Sequence, residues 1–187
     1  MERFYIVENK EYLKSVERDN EIQKSRNEFI KDFFDRYGIE GNSYFLRGNG
    51  GMNTPLPESY KKSISLCIED TEKNRKKYGS QFKKSKMEGM CDFRKNSSLL
   101  KILQEECVSK QVIVNVWETR SGYYFKELEY GGYSIQRFVL DNKMYLKVST
   151  DSFSNWNITP KYDGFTEIKA SEFFLALEQY EASKGER

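Results

Sequence analysis

The sequence predicts an α+β fold, and three observations carry that prediction. Ile22, Phe29, Ile30, Phe33, Phe34 and Tyr37 recur at three- and four-residue spacing, which builds one apolar stripe along a helix. After about residue 110 the period changes from 3.6 to 2, beginning with the β-prone run Val112-Ile113-Val114-Asn115-Val116-Trp117. The chain then closes on a second helical stripe of Phe173, Phe174, Leu177 and Tyr180. The expected layout is a long N-terminal helical segment, an antiparallel β-meander in the second half and a C-terminal helix. A length of 187 residues makes one domain the expectation. Its helix-rich segment covers about 1–110, its sheet about 111–169 and its closing helix 171–183.

Residues 4–7 alternate aromatic and aliphatic side chains and read as a short strand or a helix lead-in. The helical pattern runs from about Asn9, a suitable N-cap, to Tyr37, with Gly38 where a C′ glycine ends a helix. Its polar middle, Ser15 to Asn20, is either an exposed turn of one long helix or a break between two shorter ones. Tyr44-Phe45-Leu46 reads as a short strand, and Ser63 to Ile68 alternates like a half-buried one. Residues 71–95 are charged and less periodic, and Asn96-Ser97-Ser98 caps a helix bearing Leu99, Leu100, Ile102, Leu103 and Val108. Further on, Ser121-Gly122 and Gly131-Gly132 read as turns. Tyr133 to Leu140 and Lys143 to Thr150 flank Asp141-Asn142, whose residue types and two-residue length suit a tight hairpin, so residues 112–150 should form a meander. Phe165 to Ile168 closes the sheet, and Ser171 caps the last helix.

Composition excludes several chemistries. The chain has no histidine, which removes Ser-His-Asp and Cys-His centres and the histidine-bearing zinc and iron sites. Cys67, Cys91 and Cys107 are an odd number without tight spacing, which speaks against a disulfide framework and for a reducing cytoplasm. No metal, no cofactor and no catalytic residue is expected. The first residues, Met1-Glu2-Arg3-Phe4-Tyr5-Ile6-Val7-Glu8, lack the apolar core of a signal peptide, and no stretch approaches the roughly 20 apolar residues that span a bilayer, so no membrane partner is expected. An aromatic content of 15% offsets a hydrophobic fraction of only 37% and predicts a core built on rings.

Four constellations are candidates for function. The loop Arg47-Gly48-Asn49-Gly50-Gly51-Met52-Asn53-Thr54-Pro55 follows a strand and could offer backbone N–H groups to an anion beside Arg47, or be a plain mobile loop; it lacks the spacing of either common phosphate-binding motif. The stretch 71–95 holds nine cations against three carboxylates, whereas the rest of the chain holds 22 against 26. Lys73, Arg75, Lys76, Lys77, Lys83, Lys84 and Lys86 lie there with Tyr78 and Phe82 among them, and the stretch should be exposed. Such a pattern can track a phosphate backbone, dock on an acidic protein, or be a solvated surface. Carboxylates pair at Glu105-Glu106, at Glu127 with Glu129 and at Glu167 with Glu172, and serve either acid–base chemistry or solvation. In the dense cluster Trp117, Tyr123, Tyr124, Phe125, Tyr130 and Tyr133, at least one ring should reach the surface, because consecutive strand residues alternate faces.

The closing run Tyr162-Asp163-Gly164-Phe165-Thr166-Glu167-Ile168-Lys169-Ala170-Ser171-Glu172-Phe173 resembles the C-terminal ends of small phage and prophage accessory proteins. The resemblance covers about a dozen residues and implies a non-catalytic protein that binds and inhibits host machinery such as a defence or CRISPR system. The expected partner is then a host protein or nucleoprotein complex in the host cytoplasm. The alternative is a nucleic-acid- or nucleotide-binding module using the basic 71–95 patch, and an enzyme without histidine or metal comes third.

Overall fold

The computed structural model describes residues 1–116, 121–126, 132–150 and 158–185. In chain order the elements are β1 Glu2–Val7, α1 Lys10–Tyr37, β2 Tyr44–Arg47, β3 Ser65–Glu69, α2 Glu72–Tyr78, β4 Phe82–Lys84, β5 Met90–Phe93, α3 Ser98–Ser109, β6 Tyr133–Leu140, β7 Lys143–Thr150, β8 Phe165–Ile168 and α4 Ala170–Gly185. The mixture of a long N-terminal helix, antiparallel sheets and a C-terminal helix is the expected α+β class. Contacts divide the chain into two compact units, residues 1–18 with 118–187 and residues 19–117. The segment expected to be helix-rich, residues 1–110, also holds five of the eight strands among the described residues.

Local chemistry sets the limits of α1. The Asn9 side chain accepts from the Tyr12 N–H at 2.8 Å and starts the helix. The polar stretch from Ser15 to Asn20 is not a break; it is part of one continuous helix of 28 residues and carries buried Val16 and Asp19. The helix ends at Gly38, where φ is +61°. There Ile39 N–H donates to Phe34 O at 2.9 Å and Gly38 N–H to Asp35 O at 3.3 Å, the paired bonds of a Schellman ending.

In the unit of residues 1–18 and 118–187, one four-stranded antiparallel sheet has the order β6-β7-β1-β8. The β6–β7 hairpin turns on Asp141 and Asn142 as expected, with φ of +50° and +59°. On β1, Tyr5 and Val7 stand opposite Leu146 and Met144, and this face packs with Tyr12, Val16 and Phe125. Phe4 belongs to the other face and packs with Phe138, Phe173 and Ala176, so α4 covers that side. Phe174, expected on the buried stripe, is 42% exposed, because Ala176 instead shares the packed face with Phe173. The helix begins at Ala170, so Ser171 lies inside its first turn instead of capping it.

In the unit of residues 19–117, a second four-stranded antiparallel sheet has the order β2-β3-β5-β4. Leu46, Leu66, Phe93 and Phe82 belong to one face, and with Ile68 they join α1 residues Ile30, Phe33 and Phe34 and α3 residues Leu99, Leu100 and Leu103 in one core. Ser97 caps α3 by accepting from Leu100 N–H at 3.2 Å.

Among the described residues of the meander expected over 112–150, the β6–β7 hairpin is present and residues 112–116 join no strand. Val114 is fully buried there, and the Asn115 side chain takes over the role of a ladder. It accepts from Gly48 N–H at 3.2 Å and donates to Gly48 O at 2.6 Å, while Asn115 O receives Asn53 N–H at 3.0 Å. Trp117, Glu127, Glu129, Tyr130 and Gly131 lie outside the described residues.

Candidate functional site

Strand alternation in the 19–117 sheet sends Leu46, Leu66, Ile68, Phe82 and Phe93 to the core face and the intervening residues to the other. Register aligns Phe45 with Cys67, Cys67 with Asp92, and Asp92 with Lys83, a row across all four strands on the face opposite the core. Arg47 stands beside Ser65 in the next row. Above this floor lies a groove of about 1140 Å³. Its walls come from separate segments: Lys61, Lys62 and Ser63 of a 3₁₀ turn over Glu58–Ser63, Lys84, Ser85, Lys86 and Met87 of the β4–β5 hairpin, and Lys95 with Lys101, Gln104 and Glu105 at α3.

Eight cations line the groove, namely Arg47, Lys61, Lys62, Lys83, Lys84, Lys86, Lys95 and Lys101, against two carboxylates, Asp92 and Glu105. Lys61 pairs with Glu105 at 2.8 Å and also with Glu58. Among the described residues the other seven make no ion pair. Unneutralised charge of one sign in a concavity focuses the field and attracts anions. Phe45 contributes an exposed ring to the groove, with the Arg47 guanidinium 5.6 Å from its centroid. The Cys67 sulfur lies 3.6 Å from the Ser85 hydroxyl, and burial pushes the thiol up, away from the reactive thiolate.

The groove brings together Arg47, Lys83, Lys84 and Lys86 from the residues singled out in the sequence. It does not include Lys73, Arg75, Lys76 or Lys77, which lie on α2. Arg75 pairs with Asp70 at 2.9 Å, and Lys77 donates to Tyr37 O at 2.7 Å at the end of α1, while Lys73 and Lys76 are exposed. Tyr78 is half-buried and its hydroxyl also donates to Tyr37 O. Phe82 is 5% exposed and packs edge-on against Phe93, so it belongs to the core and is no contact surface. The 71–95 segment is therefore not exposed throughout, because β4 and β5 bury Phe82, Met90, Cys91 and Phe93.

The Gly-rich loop is pinned rather than free. Gly48 and Asn53 N–H groups donate to Asn115, and Asn49 N–H donates to the Ser63 hydroxyl at 2.8 Å. Three of its donors are thereby used within the fold and not offered to an anion. Of the paired carboxylates, Glu105 meets Lys61, Glu106 meets Arg36 and Lys110, and Glu167 meets Arg3 at 2.8 Å. Among the aromatic cluster, Tyr123 is exposed and Phe125 buried. Among the described residues, no group of three Cys, Asp or Glu side chains could hold a metal ion, and no helix is long and apolar enough to cross a membrane.

Phe45, Lys61, Lys62 and Lys101 reach the groove from outside the basic 71–95 stretch, whereas Lys95 lies within it. The alternation of Ser63, Ser65 and Cys67 with Ile64, Leu66 and Ile68 was the available signal, since it leaves a polar strand face beside those cations. Comparison with protein-family models, curated proteins and solved structures finds no match.

Proposed function

We propose that this chain is a non-catalytic binding protein that engages an anionic partner through the basic groove of residues 19–117. The observation that carries the reading is a concave surface with eight cations, of which Lys61 alone has an ion pair among the described residues. Clustered like charges repel one another in the free protein, and an anionic partner relieves that repulsion on binding. A binder is favoured over a thiol enzyme because the Cys67 thiol on the groove floor is held toward its protonated form by burial. The C-terminal run 162–173, with its resemblance to phage and prophage accessory proteins, gives the biological setting: inhibition of a host defence or CRISPR complex by occupying its anionic surface. A nucleoprotein complex offers that surface most directly.

The test uses wild-type protein and a Lys83→Glu/Lys84→Glu/Lys86→Glu variant as paired baits in lysate of a CRISPR-bearing host, with and without nuclease. The expected result is one defined complex, retained by wild type and lost by the variant, whose activity falls in proportion to added protein. Equal capture by both baits, or turnover of a small substrate by the chain itself, contradicts the proposal.

A further inference from the structure

We infer that the groove binds single-stranded nucleic acid, its cations following the phosphate backbone while Phe45 stacks a base. This rests on the reading of the groove as an anion-partner site and specifies the partner. Four features favour a strand. The volume of about 1140 Å³ exceeds the roughly 300–1,000 Å³ of small-molecule pockets, which leaves room for an extended ligand. Seven of the eight cations are lysines. A lysine meets a phosphate as a point charge on a flexible stem and imposes no fixed geometry, so the lining can follow an irregular phosphodiester strand. The charges surround a concavity, whereas duplex readers insert a convex helix or ribbon into a groove of the nucleic acid. Finally, the Phe45 ring is 37% exposed among those charges with Arg47 against it, and a ring beside a basic track is how sequence-tolerant single-strand binders hold bases.

The experiment is fluorescence anisotropy with the full chain and four probes: an oligothymidylate and an oligouridylate of roughly 16 nucleotides, the upper end of known single-domain sites, a duplex of the same length, and poly-glutamate. Both single strands should bind more tightly than the duplex and poly-glutamate. With about five phosphates neutralised, log affinity should fall against log salt with a slope of about −3.5. Phe45→Ala should weaken binding about 5- to 150-fold without lowering the melting temperature, and Phe45→Trp should restore it. Lys83→Glu/Lys84→Glu/Lys86→Glu and, independently, Lys62→Glu/Lys101→Glu should weaken binding and flatten the salt slope by at least about 2 and about 1.4 units respectively.

Preference for the duplex overturns the single-strand assignment, and Phe45→Ala binding as wild type overturns the stacking role. If poly-glutamate binds through the groove and no oligonucleotide does, the nucleic-acid inference falls while the anionic-partner reading stands. If no polyanion distinguishes wild type from the two charge-reversed variants, both fall.

Discussion

The two sheets have four antiparallel strands each, yet they use their faces differently. In the sheet of residues 1–18 and 118–187, alternate residues of β1 are buried on both sides, Tyr5 and Val7 in one cluster and Phe4 in another. In the sheet of residues 19–117, a single core takes Leu46, Leu66, Ile68, Phe82 and Phe93, and the reverse face carries Phe45, Cys67, Asp92 and Lys83 beside the groove. Charge follows the same division. Residues 19–117 hold 18 Lys and Arg against 14 Asp and Glu, a net of +4; the remainder holds 13 against 15, a net of −2. A sheet packed on both faces has its side chains committed to stability, whereas a sheet packed on one face keeps a set free for recognition.

Substitutions can sharpen or break this contrast, and those in the packed faces should have the largest effect. Leu146→Ala in one unit and Leu103→Ala in the other each remove a side chain with no exposure, and each should cost about 2–5 kcal/mol by urea denaturation. Asn74 is the next test, because it is a buried polar residue beside the basic surface. Its side chain accepts from Glu40 N–H at 2.8 Å and donates to Glu40 O at 2.7 Å and Glu69 O at 3.1 Å. Asn74→Ala strands those groups and should cost about 2 kcal/mol, while Lys76→Ala two residues on should change stability by less than about 0.5 kcal/mol. If the two cost the same, the division of α2 into a buried anchor and an exposed surface is wrong.

A smaller effect comes from Glu106, which accepts from Arg36 at 2.8 and 2.5 Å and pairs with Lys110 at 3.2 Å. The Arg36 hydrogen bond, ahead of Lys110, holds the Glu106 carboxyl below its ordinary range. Its unfolded value is about 4.3. A depressed folded value means that the unfolded chain takes up the proton first as pH falls. The stabilisation is therefore complete above about pH 4.3 and is lost as pH falls through the lower folded value. Glu106→Gln should cost about 1 kcal/mol at neutral pH, and thermal melts should show the two proteins converging on acidification. A constant difference from neutral to acid pH would remove the ion pair as its cause.

What the sequence made legible was chemistry completed within a few residues. Asn9, the Gly38 ending and the Asp141-Asn142 turn each act on backbone no more than four residues away. Ser97 behaves in the same way at the start of α3. The short strands β4 and β5 were hidden because three and four residues cannot display a period among nine cations. Their identity depends on pairing Phe82 with Phe93, eleven residues apart. Lys77 and Tyr78 looked like a contact surface because Tyr37, whose carbonyl they bind, lies 40 and 41 residues earlier. The groove was half visible for the same reason. Lys83, Lys84, Lys86 and Lys95 fall within one basic stretch of sequence, whereas Phe45, Lys62 and Lys101 reach it only once the sheet and α3 are assembled.

The central claim is that the open face of the second sheet, and not the basic helix α2, receives the partner. The most direct measurement sets two charge reversals side by side at low salt: Lys83→Glu/Lys84→Glu/Lys86→Glu in the groove and Lys73→Glu/Lys76→Glu on α2, titrated with the same single-stranded oligonucleotide and poly-glutamate. Exposed substitutions of this kind should leave both proteins folded, with stability changes of about 0.5 kcal/mol or less at each position. The groove variant should lose at least tenfold in affinity for the polyanion that wild type prefers, and the α2 variant less than about threefold, since its charges act only at longer range. Equal losses, or a larger loss from α2, would contradict the account.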